Sequence, residues 1–172
     1  MDIFKIIANL KKDGKVVGFT ASTFDLMHAG HIIMLQEAKT QCDYLIVGLL
    51  TDPTRDRPNK NYPIQTSWER WIQAQALESV DRIIPFDTEE DLETMIKVLK
   101  PDVRFVGEEY KGKPHTGHDI KGTKIIYNQR EHNYGSTQLR KKIFEQETQK
   151  KVKKPTDLTQ FKSPGVPLIE KD

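Results

Sequence analysis

A single cysteine, Cys42, stands in the whole chain. No internal disulfide can form, and cysteine-rich metal motifs are excluded. No stretch reaches the roughly 18–20 consecutive apolar residues of a membrane span, and no basic segment followed by a long apolar run opens the chain. A cytoplasmic protein without membrane insertion is the default expectation. Charge of one sign is also scarce in excess: 27 Lys and Arg stand against 25 Asp and Glu, for a net charge of +2. No run of arginines interleaved with aromatics is present, which argues against nucleic acid as a partner. The basic residues are local instead. Arg55, Arg57 and Lys60 share one polar stretch, Lys111 and Lys113 another, and Lys150, Lys151, Lys153 and Lys154 a third. Such clusters focus a field on a phosphate even where net charge is small, although the 150–154 run reads as a solvated surface.

What is present is an alternation of short apolar runs with amphipathic segments. At 172 residues the chain is long enough for one domain with its own core. Val16–Thr20 reads as a buried strand, followed by a helical face on Ile32, Ile33, Leu35 and Ala38. Tyr44–Leu50 is a continuous apolar run, the signature of a strand covered on both faces of a parallel sheet. Thr51–Pro63 is a loop rich in Asp, Pro, Asn and Arg. Thr66 with Glu69 has capping-box spacing and opens a helix through Trp68, Trp71, Ile72, Ala76 and Leu77. The two tryptophans read as helix packing, with an oligomer interface as the alternative for an exposed one.

Arg82–Pro85 is a short strand limited by its proline, Leu92, Met95, Ile96 and Leu99 form the next apolar helix face, and Val103–Gly107 is another strand. Lys111–Gly122 is a long polar loop facing solvent, with a lid over a substrate as the alternative. Lys124–Tyr127 supplies a fifth strand, and Leu139, Ile143 and Phe144 a terminal helix. Strands separated by helices argue an α/β fold with a doubly wound, mostly parallel sheet. Its ligand site belongs beyond the carboxyl ends of the strands. Residues 1–149 form the domain, and 150–172, with Pro155, Pro164, Gly165 and Pro167, an irregular basic tail.

Two constellations fall at such strand ends. His28 and His31 lie one helical turn apart at a helix start, where imidazoles and unpaired backbone N–H groups converge on an anion. An imidazole there donates to a phosphate oxygen, more strongly as charge develops in the transition state. A zinc pair and ordinary capping histidines are the competing readings. The second constellation is Arg130 to Arg140, where Gly135 permits close backbone approach and Ser136 and Thr137 offer hydroxyls and amides at another helix start. Taken alone, that pair reads as an N-cap.

Thr23-Phe24-Asp25 followed by His28-Ala29-Gly30-His31 resembles the TFDxxHxGH signature of the cytidylyltransferase-like nucleotidyltransferases, and Tyr134-Gly135-Ser136-Thr137 resembles their second signature. The likeness spans roughly residues 15–145 and is greatest to compact bacterial glycerol-3-phosphate cytidylyltransferases. The nucleotidyltransferase domain of heptose-phosphate enzymes and archaeal FAD synthetases are also similar.

The resemblance implies a Rossmann-like fold and a homodimer. It implies a reaction in which a phosphate oxygen of a small acceptor attacks the α-phosphorus of CTP and pyrophosphate leaves. His28, His31 and Arg130 are the implied catalytic residues. Ala21, Ser22, Thr23, Phe24, Asp25, Gly30, Ser136 and Thr137 are the implied nucleotide contacts. Arg57, Arg70, Glu108, Glu109 and Tyr110 are implied for phosphate or acceptor, and Mg²⁺ is the implied cofactor.

Three departures stand out. Ser22 replaces the usual glycine before the Thr-Phe-Asp unit. Glu131-His132-Asn133-Tyr134 separates Arg130 from Gly135. The loop Lys111–Gly122 carries His115 and His118. ATP in place of CTP is the nearest enzymatic alternative, and a non-catalytic nucleotide-binding module is the alternative of a different class.

Overall fold

Among the described residues five parallel strands form one sheet, in the spatial order β3-β2-β1-β4-β5. The computed structural model describes residues 2–129 and 134–149; Arg130 to Asn133 and the tail 150–172 lie outside the described residues. The strands are β1 (Val17–Ser22), β2 (Tyr44–Leu50), β3 (Arg82–Phe86), β4 (Val103–Gly107) and β5 (Lys124–Asn128). The helices among the described residues are α1 (Ile3–Lys12), α2 (Ala29–Lys39), α3 (Ser67–Gln75), α4 (Glu89–Leu99) and α5 (Ser136–Thr148), with a 3₁₀ turn at Glu108–Tyr110. Two compact units divide the chain, Met1–Leu139 and Arg140–Asp172. The sheet and the site residues belong to the first. The described part of the second is the remainder of α5, where Lys141 pairs with Glu145 at 3.8 Å.

Successive strand residues point to opposite faces, so the apolar runs feed two cores. On one face Leu45, Val47, Leu49, Val103 and Phe105 pack with Leu35 and Ala38 of α2 and Ala74 of α3. On the other, Val17, Phe19, Ile46, Leu50 and Phe86 meet Ile7 of α1 and Leu92, Ile96 and Leu99 of α4. Helix α1 has no counterpart among the sequence-based elements. Its signals are Asp2, whose side chain accepts from Phe4 N at 3.1 Å, and the i, i+4, i+7 spacing of Ile3, Ile7 and Leu10.

Strand β1 runs past the expected Thr20 to Ser22, paired with Leu49. Pro85 sits inside β3 instead of ending it, opposite Leu49; β3 is an edge strand, where a missing N–H costs no ladder bond. The paired tryptophans part company. Trp71 packs on the core, whereas Trp68 is 68% exposed. Among the described residues no helix is long and apolar enough to cross a membrane.

Aspartates staple the amino edge of the sheet. Asp43 accepts from Val16 N at 2.8 Å, Asp102 from Val17 N at 2.9 Å, and Asp81 from Leu45 N at 2.6 Å. Each also holds a lysine, Lys15, Lys11 and Lys39 respectively. The opposite, carboxyl edge carries the longer loops. Its topological switch point lies between β1 and β4, since the chain leaves β1 for β2 on one side and reaches β4 on the other.

Candidate active site

Backbone strain marks the loop after β1. Phe24 and Leu26 both adopt left-handed backbone, at φ 51° and 50°, which costs a non-glycine residue roughly 1–3 kcal/mol. Neighbours hold the loop in place. The Phe24 ring is fully buried in the core. Gln65 N donates to Asp25 Oδ1 at 2.9 Å, and Leu26 N donates to Gln65 Oε1 at 2.7 Å. Gln65 thereby clasps the loop from both sides, a role the sequence does not announce.

His28 is the N-cap of α2. Its extended backbone turns the ring back, and Nδ1 accepts from Gly30 N at 3.1 Å. An Nδ1 that accepts leaves the proton of the neutral ring on Nε2. That nitrogen lies 3.4 Å from Ser136 Oγ, which itself donates to the Asp25 carbonyl at 3.1 Å. The imidazoles of His28 and His31 stack with centroids 4.0 Å apart, and the Phe24 ring supports His31 at 5.3 Å. Stacking two imidazoles presents a short row of ring nitrogens beside the start of α2, an arrangement suited to several oxygens of one polyphosphate. Gly30 is buried beneath it.

The helix starts of α2 and α5 therefore meet, with Ser136 brought to His28 across most of the chain. Thr137 follows Ser136 on an exposed position of α5. Ala21 and Ser22 end β1 in register with Gly48 and Leu49, and the Thr23 carbonyl accepts from Arg70. Arg130 lies outside the described residues.

Arg70, expected at phosphate or acceptor, is 1% exposed and its guanidinium is fully engaged within the protein. Nε donates to Gln65 O at 3.1 Å, Nη1 to Thr23 O at 2.7 Å and Leu50 O at 2.6 Å, and Nη2 to Thr51 O at 2.6 Å and Ser67 Oγ at 3.2 Å. Those bonds use all five donors of an arginine. Burial pushes its pKa down from the ordinary guanidinium value, with the Asp25 carboxylate acting against it. The side chain ties the ends of β1 and β2 to α3.

Arg57 turns to Glu89, at 3.0 Å. Beyond β4, Glu108 and Glu109 are exposed and Tyr110 is half-buried. Glu109 folds back over Gly107, where a Cβ would strike its carboxylate. Tyr110 meets the His115 ring edge-on at 5.8 Å. His115 Nε2 lies 3.3 Å from the Tyr127 hydroxyl. The loop Lys111–Gly122 is accordingly not a simple solvent loop. Arg104, buried on β4, donates to the Thr116 carbonyl, and Gly117, at φ +70°, leaves room for that guanidinium. A lone arginine inside the apolar run Val103-Arg104-Phe105-Val106 was the signal for this anchor.

Among the described residues no group of three or more His, Cys, Asp or Glu side chains surrounds one point. They offer Mg²⁺ no all-protein cage; Mg²⁺ keeps waters and phosphate oxygens readily and needs few protein ligands. Burial pushes the Cys42 thiol up to about 11, so it is no nucleophile near neutral pH.

A family model described as cytidylyltransferase-like matches residues 19–152. The bifunctional protein HldE of Nitratiruptor sp. is 38% identical over 120 residues, which is 69% of this chain and 26% of that protein. The protein of the same name from Caulobacter vibrioides is 34% identical over 139 residues, 78% of this chain and 29% of that protein. The chain thus spans about a quarter of the length of these curated relatives. The crystal structure of a lipopolysaccharide core biosynthesis protein from Thermoplasma volcanium superposes with a TM-score of 0.50 at 26% identity, covering 77% of this chain and 88% of that one. Pantoate-beta-alanine ligase from Francisella tularensis, at 20% identity and a TM-score of 0.53, covers 84% of this chain and 77% of its own and shares the fold.

Proposed function

The chain belongs to the cytidylyltransferase-like family of nucleotidyltransferases, and from that membership we propose that it transfers CMP from CTP to a small phosphorylated acceptor, with glycerol 3-phosphate the first candidate. The observation that supports this reading is the approach of Ser136 to His28 at 3.4 Å, which unites the two signatures at one strand edge. An acceptor phosphate oxygen attacks the α-phosphorus, the bond to the bridging oxygen of the β-phosphate breaks, and pyrophosphate carries away the developing charge. His28 and His31 bind the triphosphate and stabilise that charge by hydrogen bonding. The start of α5, through Ser136 and Thr137, steadies the nucleotide, and Arg130 joins the phosphates in this reading. The site residues at the end of β1 line the nucleotide with backbone. Glu108, Glu109 and Tyr110 lie at the switch point, where base and acceptor would meet. Mg²⁺ enters as the counter-ion of the triphosphate.

A second reading is ATP with a phosphorylated sugar. A sugar acceptor is in keeping with the 26% identity to a lipopolysaccharide core biosynthesis protein, and ATP is the alternative nucleotide because the phosphate apparatus itself reads no base. The same proposal includes a homodimer, supported by the exposed Tyr62, Ile64, Trp68 and Ile72 on and before α3; sedimentation of the wild type against Trp68→Glu tests it, with a monomeric wild type as the contrary result.

Pyrophosphate release decides the main question. CTP, ATP, GTP and UTP are each assayed against phosphorylated polyols, phosphorylated sugars and FMN. Fastest turnover with CTP and a phosphorylated polyol is expected. Preference for ATP moves the assignment to the second reading. Tight nucleotide binding with no turnover for any pair makes the protein a binding module.

A further inference from the structure

Glu89, the first residue of α4, touches two loops of the carboxyl edge and has no part in the reading above. Its Oε1 takes Arg57 Nη2 at 3.0 Å, and its Oε2 accepts from the Thr116 hydroxyl. Its backbone N–H donates to Asp56 Oδ2 at 2.6 Å. Arg104, which donates to the Thr116 carbonyl, is held toward its charged form by the Glu89 carboxylate against burial. One carboxylate therefore ties the loop after β2 to the loop 111–122 after β4, with α4 as the fixed post.

As a stabilising device this is a poor arrangement. The Arg57 and Glu89 side chains are 37% and 33% exposed, and ion pairs of that kind contribute little. Meanwhile Arg57 Nε is shielded from solvent and, among the described residues, meets no acceptor, which is unfavourable for a buried donor. A guanidinium whose ion pair among the described residues engages Nη2 alone, on a side chain 37% exposed, suits an anion, because phosphate is gripped by adjacent guanidinium donors in a planar fork. The opposite pattern is seen at Arg70, where every donor is spent.

We propose that Glu89 is a positioning residue that aims Arg57 at a substrate phosphate and fastens the loop 111–122 to the same point. This rests on the nucleotidyl-transfer reading, which supplies the phosphate. Glu89 acts through Arg57 and Thr116 and touches no substrate itself.

Steady-state pyrophosphate release with each substrate varied in turn, for wild type, Glu89→Gln, Arg57→Ala, the double variant and Thr116→Val, tests this, with thermal melting in parallel. Glu89→Gln keeps the shape and removes the charge. It should lower kcat/KM about 10-fold, less than the roughly 10²-fold cost of a 1 Å misplacement, with melting nearly unchanged. The double variant should be no worse than Arg57→Ala alone, since Glu89 works through that arginine. Thr116→Val should raise the acceptor KM and leave the nucleotide KM in place. Wild-type kcat/KM in Glu89→Gln overturns the proposal, as does a double variant whose loss is the product of the single losses. A Glu89→Gln defect that vanishes when the assay is cooled below its lowered melting point assigns Glu89 to stability alone and overturns it too. A wild type that turns over beside an unaffected Glu89→Gln sinks this proposal only; a wild type with no turnover on any pair sinks the underlying reading and this with it.

Discussion

Arg57 and Arg70 belong to one loop-and-helix segment and carry the same charge, yet they sit in opposite states. Arg70 is buried with its five donors on four carbonyls and a hydroxyl. Arg57 is a third exposed, holds one carboxylate, and keeps a shielded N–H without an acceptor among the described residues. The first arginine ties together the segments after β1 and β2 and before α3 by taking their carbonyls, of which that of Leu50 is buried. The second, in the proposed reading, serves a substrate phosphate. Side-chain type therefore tells little about role at this edge; what decides is how many donors the fold has already used.

The largest effect that sharpens this contrast is on stability. Arg70→Met should cost about 3–5 kcal/mol by orphaning the carbonyls of Thr23, Leu50, Thr51 and Gln65, read by denaturant unfolding. Arg70→Lys should recover little, because one ammonium cannot serve a planar fork. A well-folded Arg70→Lys with a raised nucleotide KM would break the contrast and return Arg70 to the phosphate.

Next comes His28, which caps α2 and, in the proposed reading, also binds the triphosphate. His28→Asn keeps an N-cap for α2 while removing the imidazole. Its kcat should fall about 10²–10³-fold with melting near wild type, whereas His28→Ala should lose about 1 kcal/mol in addition. His31→Ala should match the catalytic loss without the capping cost. Near-normal kcat/KM in both His28→Asn and His31→Ala rejects the proposed roles.

Arg57→Ala is the counterpart of the Arg70 variants. Unfolding free energy should move by less than about 1 kcal/mol while substrate affinity weakens. A large loss of stability would place Arg57 with Arg70 as scaffold.

The smallest effect concerns the anchored loop 111–122. Burial holds His115 below the ordinary value of 6.5, the bond with the Thr116 carbonyl opposing it and Arg104 adding to it. The unfolded chain then binds more protons, so this contribution is complete above 6.5 and is lost as pH falls through the folded value. Melting at pH 7.5 and 5.5 should show a slightly shallower pH dependence in His115→Gln than in wild type; an identical slope removes His115 from the account.

Much of the architecture was open to reading along the chain. Tyr44–Leu50 is apolar at nearly every position because both of its faces are covered, and Thr66 with Glu69 forms the expected capping box. Helix α1 had legible signals in Asp2 and the Ile3, Ile7, Leu10 spacing. The anchoring of the loop 111–122 was less so, because its polar composition is that of a solvent loop and the carbonyl taken by Arg104 belongs to no pattern. The clasp of Gln65 on Asp25 and Leu26 left no trace in the sequence, since a glutamine before a helix cap is unremarkable by itself.

By itself, the sequence determined the alternation of strands and helices, the parallel sheet and the two signature segments, because those depend on local periodicity, capping and spacing. Only the tertiary structure decided that His28 meets Ser136, that Arg70 is spent on carbonyls, and that Glu89 joins Arg57 to Thr116. Those pairings depend on strand order, which brings distant loops to one edge and so determines which polar groups already have partners.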